Sequence, residues 1–206
     1  VTVDVVSDII CPWCFIGKRR LEKAASILGV PVEIRWHPFQ LNPNMAPEGI
    51  SRREYRTAKF GSWEHSQQLD TRVAEYGRQD GIEFRHDLML RTPNSFHGHM
   101  LLAAALEQGI TEQNQIAERL FTGYFCRGED VGDDALLQSI ATDHGFAIDF
   151  SDSALTEKVR TEEKSFRDSG VQGVPLMLYR GQLVSEGAAP EETLAARLRD
   201  LSERQQ

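Results

Sequence analysis

Three cysteines in a 206-residue chain are too few for the stapled framework of a small secreted domain. Apolar runs long enough to span a bilayer are absent, as are low-complexity tracts, internal repeats and an interdomain linker. Basic charge is in deficit: 31 acidic against 23 basic residues give a formal net charge of −8, which argues against nucleic acid or a membrane surface as a partner. From Val1 the chain reads directly as a strand, without the charged segment, apolar stretch and small-residue cleavage site of a secretory leader, so a cytoplasmic location is expected. What the chain does have is 40% hydrophobic content, enough for a substantial core in one large domain or a domain with an insertion.

Two of the three cysteines stand close together, in Cys11-Pro12-Trp13-Cys14. The residues before them, Val3 to Ile10, are rich in β-branched side chains and read as a strand; those after them place Leu21, Ala24, Ala25 and Leu28 on one helix face. Lys18, Arg19, Glu22 and Lys23 fall on the opposite face, and Lys18-Arg19-Arg20 reads as solvated. Such a junction sets Cys11 at a helix N-terminus, where free N–H groups and the macrodipole favour the thiolate, with Cys14 about one turn deeper and within disulfide reach. A redox couple is the leading reading. Half a zinc site is the competing one, but no second Cys-x-x-Cys exists, and His97 and His99, two apart on a predicted helix, diverge; no metal is expected.

Pro12 and Trp13 lie between the thiols, where they shape helix geometry, exposure and redox potential. Trp13 is also a candidate partner surface with Phe15, Phe39 and Met45 as pocket walls, against the alternative that these side chains are core. Asp8 is either a buried proton acceptor for Cys14 or a solvated strand end. Cys126 has no near partner and reads as a small, partly buried residue.

Farther along, Gly29 offers a helix stop, and Val32 to Trp36 reads as a second strand ending at His37-Pro38. From residue 40 to about 150 the periodicity becomes helical. Leu69, Val73 and Tyr76 share a face, as do Leu102, Ala105, Leu106 and Gly109, then Ile116, Leu120 and Tyr124, then Leu137, Ile140, Ala141 and His144. A helix carrying Leu155, Val159 and Phe166 stops at Gly170. Leu176 to Tyr179 reads as a buried strand, Arg180-Gly181 as a turn into Gln182 to Ser185, and Pro190 as the start of a helix with Leu194, Leu198 and Leu201.

The sequence resembles the thioredoxin-like superfamily, and more closely the DsbA-like, FrnE-type oxidoreductases. The resemblance rests on Cys11 to Gly17, Pro38 to Pro43, Asn94 to His99, Gly173-Val174-Pro175 and Gly187 to Pro190. It implies an α/β thioredoxin-like fold, β-α-β then α-β-β-α, interrupted by a large all-helical insertion. Residues 1–40 and 151–206 would form the thioredoxin-like domain and 41–150 the insertion. Cys11 would attack, Cys14 resolve, and Val174 offer its backbone to substrate before a cis Pro175; on sequence alone a trans proline is favoured, since only about 5–6% of X-Pro bonds are cis. His99, with Asn94, would line the substrate cleft or relay protons, with a satisfied helix histidine as the alternative.

The activity implied is cytoplasmic thiol–disulfide exchange through a mixed disulfide, with no cofactor required and glutathione or another low-molecular-weight thiol admitted as co-substrate. Partners would be disulfide-containing proteins or small thiols, and a homodimer is admitted. A second reading is a glutathione-dependent transferase or isomerase resembling kappa-class glutathione transferases and 2-hydroxychromene-2-carboxylate isomerases, which typically place Ser where Cys11 stands. A third is a noncatalytic metal-binding or scaffold protein.

Overall fold

The computed structural model describes residues 1–204. The chain begins with β1 (Thr2–Ser7), α1 (Pro12–Leu28) and β2 (Glu33–Pro38). There follow β3 (Ile50–Ser51), α2 (Arg52–Phe60), α3 (Trp63–Gln79), β4 (Arg91–Thr92), α4 (Phe96–Gln108), α5 (Ile110–Arg127) and α6 (Asp134–Asp143). α7 (Ser153–Asp168), β5 (Leu176–Tyr179), β6 (Gln182–Glu186) and α8 (Glu191–Glu203) complete it. The main sheet runs β2-β1-β5-β6, with β1 parallel to β2 and antiparallel to β5. This is the thioredoxin-like arrangement, and the inserted helices also carry a two-stranded β3–β4 ladder that helical periodicity alone did not reveal.

Local chemistry accounts for the boundaries. Pro12 opens α1 where its missing N–H costs nothing, and Gly29 closes it at φ 69, a left-handed cap. Arg180 and Gly181, both at positive φ, form the tight turn that lets β5 return as β6. β1 is central and buried along most of its length, whereas β2 alternates, turning Ile34, Trp36 and Pro38 inward and Glu33 and Arg35 outward. The outer side of β2 is met at Trp36 by a side chain. Gln113 of α5, 1% exposed, accepts from the Trp36 N–H at 2.9 Å and donates to the Trp36 carbonyl at 2.9 Å, as a neighbouring strand would.

One buried apolar cluster runs through the sheet and the inserted helices together. At its centre Phe15 of α1 stacks on Phe121 of α5, ring centroids 5.3 Å apart, and Trp36 meets Phe121 edge-on at 5.5 Å. Because helices cover α1 on more than one side, the expected solvated face is also occupied. Lys18 is 3% exposed and pairs with Glu118 of α5 at 2.9 Å and with Glu22. Arg19 also holds Glu118, and Arg20 reaches Asp80 and the Ala188 carbonyl. The basic run is a set of struts between α1, the insertion and the loop before α8.

Phe121→Ala removes the ring shared by both parts of the cluster. It is expected to cost about 3–5 kcal/mol in urea unfolding while the transition stays single; two separate transitions would show that the insertion folds apart from the sheet.

Candidate active site

At the end of β1 the chain turns sharply: the Cys11 N–H donates to the Asp8 carbonyl at 3.0 Å, and the Cys11 carbonyl accepts from Cys14 and Phe15 N–H as α1 begins. Cys11 is therefore the N-cap of α1, with no side-chain cap and no acidic residue in the first turn to oppose an anion there. Both cysteines stand as free thiols. Their surroundings differ. Cys11, itself only 4% exposed, borders a cavity, whereas Cys14 has no exposed surface. Burial pushes the Cys14 thiol well above its ordinary value of 9.0, and the hydrogen bond and charge of Cys11 push it the same way.

Across from the pair, the Val174–Pro175 peptide bond is cis. The Val174 carbonyl accepts from Cys11 Sγ at 3.7 Å, and Pro175 is buried with its carbonyl taking the Gly187 N–H at 2.8 Å. Gly17 permits this approach: a Cβ there would stand 2.8 Å from Met177 Cε and 3.3 Å from Pro175 Cγ.

Asp8 is the buried alternative of the two that its position allowed. Its carboxylate is 0% exposed, accepts the Leu41 N–H at 2.7 Å, and meets His99 Nε2 at 3.2 Å. His99 is 2% exposed and stands behind Asp8, so it does not line the cleft. Asn94 is also structural, accepting the Phe96 N–H at 2.9 Å and donating to the Met45 carbonyl at 2.7 Å. His97 diverges from His99, stacking on Phe150 and bonding Asp134. Phe15 and Phe39 are core, and Met45 stands away from the cavity, so none of the three is a wall of it. Among the described residues no group of three His, Cys, Asp or Glu side chains could hold a metal ion.

The actual walls come from elsewhere. A cavity of about 670 Å³ opens beside Cys11, Pro12 and Trp13, bounded by Gly173 and Val174 on one side and by α2 and α3 on the other. Trp13 leans on Tyr76 of α3, centroids 5.3 Å apart. Leu69, Val73 and Tyr76, the apolar stripe of α3, face this space, and the buried side of α3 is Ser66, Asp70 and Gly77. Beneath the cavity Asp70 receives Arg52 through both oxygens at 2.9 Å and Arg56 at 2.9 Å. His86, stacked on Phe84, is pushed down to about 4 by burial, with the Arg52 and Arg56 charges adding. The sequence signal for this wall was the basic run Arg52-Arg53-Glu54-Tyr55-Arg56, conspicuous in an acidic chain.

Known proteins place this geometry. The family model of the DSBA-like thioredoxin domain matches residues 2–199. The uncharacterized protein YwbO of Bacillus subtilis (strain 168) is 26% identical over 210 residues, covering 97% of this chain and 96% of its own. A crystal structure of a probable DsbA oxidoreductase from Streptomyces coelicolor superposes with a TM-score of 0.82 at 27% identity, over 98% of this chain and 90% of that one. A 2-hydroxychromene-2-carboxylate isomerase shares the fold, with a TM-score of 0.73 at 15% identity over 100% of this chain and 98% of that one.

Two measurements follow from the pKa directions. Mass-spectrometric mapping after brief alkylation of the reduced protein near pH 7 should find Cys11 modified at least about tenfold faster than Cys14; equal labelling would contradict the asymmetry. For His86 the folded value of about 4 lies below the ordinary 6.5, so the unfolded chain binds its proton more tightly. The stability this confers is present above pH 6.5 and is lost as pH falls toward 4. Thermal melts across that interval should show the loss in the wild type and a shallower loss in His86→Gln.

Proposed function

Since the chain belongs to the DSBA-like thioredoxin domain family, we propose that it is a thiol–disulfide oxidoreductase working through Cys11 and Cys14. The observation that carries this reading is the unequal pair: one thiol at a helix N-terminus facing a cavity, the other sealed and held protonated behind it. In the reductive direction the Cys11 thiolate attacks one sulfur of a substrate disulfide, forming a Cys11–substrate mixed disulfide and releasing the first substrate thiolate. Cys14 then gives up its proton and attacks Cys11 Sγ. The second substrate thiolate leaves, two electrons have passed from the dithiol, and the enzyme holds a Cys11–Cys14 disulfide. Run backwards, the same steps oxidise a substrate dithiol.

The remaining parts serve these steps. Asp8, buried and with its charge acting on the Cys14 thiol, serves as the acceptor for the Cys14 proton, and His99 positions it. The Val174 carbonyl orients Cys11 Sγ, while the backbone of Gly173 and Val174 borders the space a substrate enters. Pro12 and Trp13 tune the pair from between the thiols. The motif set that runs from Cys11 to Pro190 supports the FrnE-type branch of the family, and the scarcity of cysteine supports a reducing, cytoplasmic setting. No helix among the described residues is long and apolar enough to cross a membrane.

Cys14→Ala is expected to accumulate a mixed disulfide through Cys11, visible as a thiol-reversible mass adduct, because nothing remains to resolve it. Cys11→Ser should form no adduct and lose turnover of a model disulfide by at least about a hundredfold. Undiminished turnover in both variants would falsify the mechanism.

A further inference from the structure

Beyond the end of β2, three consecutive N–H groups each meet an acceptor from a different element. Phe39 donates to the Ser7 carbonyl at 3.0 Å, Gln40 to Glu163 Oε1 at 2.8 Å, and Leu41 to Asp8 Oδ2 at 2.7 Å. Gln40 and Glu163 of α7 are both buried. One helical turn after Glu163, Arg167 donates to its carboxylate at 2.6 Å and also to the Gln40 carbonyl. The Arg167 guanidinium lies over the Phe39 ring, 4.1 Å from the centroid. α7 therefore grips Gln40 by both backbone groups, with a carboxylate on the N–H and a guanidinium on the carbonyl.

The second of these contacts leads to the active site. The Gln40 carbonyl and the Leu41 N–H belong to one planar, conjugated peptide unit, so its two ends move together. A cation at the carbonyl oxygen draws electron density toward itself and makes the N–H at the other end a stronger donor, an effect that a low-dielectric interior enlarges. That N–H is the one that meets Asp8. The opposite Asp8 oxygen faces His99, and the charge of Asp8 acts on the Cys14 thiol. A buried carboxylate is costly unless strong donors meet it, and the polarised N–H supplies one. Arg167, with its side chain 36% exposed, thus reaches the sealed acid through a single peptide bond.

We infer that Arg167 is a positioning residue for the resolving step: through the Gln40–Leu41 peptide it holds the Asp8 carboxylate in place to receive the Cys14 proton. The inference rests on the oxidoreductase reading and adds to it a residue of α7 that acts through another. In the step concerned the Cys14 Sγ–H bond breaks and its proton passes to an Asp8 oxygen. The sulfur's electron pair forms the bond to Cys11 Sγ, and the substrate thiolate leaves from the mixed disulfide. Glu163 keeps Arg167 aimed at the peptide while taking the Gln40 N–H itself. The first step, attack by Cys11, draws on the helix N-terminus and makes no use of this relay.

Stopped-flow reaction of the reduced protein with 5,5′-dithiobis(2-nitrobenzoate) separates the two steps, in a Cys126→Ser parent so that only the pair reacts. Attack by Cys11 releases one coloured thiolate in a phase whose rate rises with reagent concentration; attack by Cys14 releases the second in a phase independent of it. In Arg167→Met, which keeps an apolar stem over Phe39, the first phase should stay within about twofold of the parent and the second should slow about tenfold. Arg167→Gln, also neutral, should behave alike, and Arg167→Lys, which returns a cation, should recover most of the lost rate. If Arg167→Met does not fold, the Gln and Lys variants decide the matter between them. An unchanged second phase in the neutral variants overturns the inference while the exchange chemistry stands. So does a slowing of both phases together, or a loss that Lys fails to recover, since either marks a role in packing alone. Absence of the concentration-independent phase from the parent overturns the oxidoreductase reading itself, and this inference with it.

Discussion

A carboxylate without exposed surface can persist only where its lone pairs are met, and Asp8 meets that demand by drawing three separate stretches of chain to one point. Its own backbone carbonyl receives the Cys11 N–H, its side chain receives the Leu41 N–H, and its other oxygen faces His99 of α4. The end of β1, the start of the insertion and the first turn of α4 are thereby fixed relative to one another. The cysteine pair sits on that junction. Moving Leu41 or His99 would leave the buried Asp8 side chain short of a partner, and the Cys11 N–H ties the same residue's backbone to the thiols, so their geometry is tied to the way the insertion joins the sheet.

The aromatic cluster makes the same connection from the apolar side. Phe15 lies one residue past Cys14, so the helix that carries the thiols is also the one that anchors the insertion through Phe121 and Phe125. Polar struts repeat the pattern at the outer face, where Lys18 and Arg19 meet Glu118. The insertion is thus the second wall of the cavity in front of Cys11 and part of the support behind Cys14.

Much of this was legible in the sequence because it is local. The strand before Cys11, the proline that opens α1, Gly29 that ends it, and the Arg180-Gly181 turn each follow from a few adjacent residues. Whether Val174–Pro175 is cis was not readable from composition, and only the resemblance suggested it. The cavity was hidden for a different reason. Leu69, Val73 and Tyr76 have the same spacing whether a helix turns them to a core or to a cleft, and nothing local distinguishes the two. Arg52, Asp70 and His86 come from separate elements and acquire meaning only when the fold brings them under one roof. The same limit applies to Lys18, whose charge suggested solvent while the burial of α1 on several sides required a partner.

Gln113 occupies the flank of β2 at Trp36 as a strand would, and at the opposite border of the main sheet Arg197 of α8 donates to the Leu183 carbonyl of β6 at 3.1 Å. A sheet with two open borders can propagate without limit, each added copy offering a fresh edge to the next. Here each border has a backbone position taken by a side chain, Trp36 by an amide and Leu183 by a guanidinium. Each border strand of this sheet therefore offers a passing chain fewer free backbone groups than its length suggests, which makes it a poorer template for pairing.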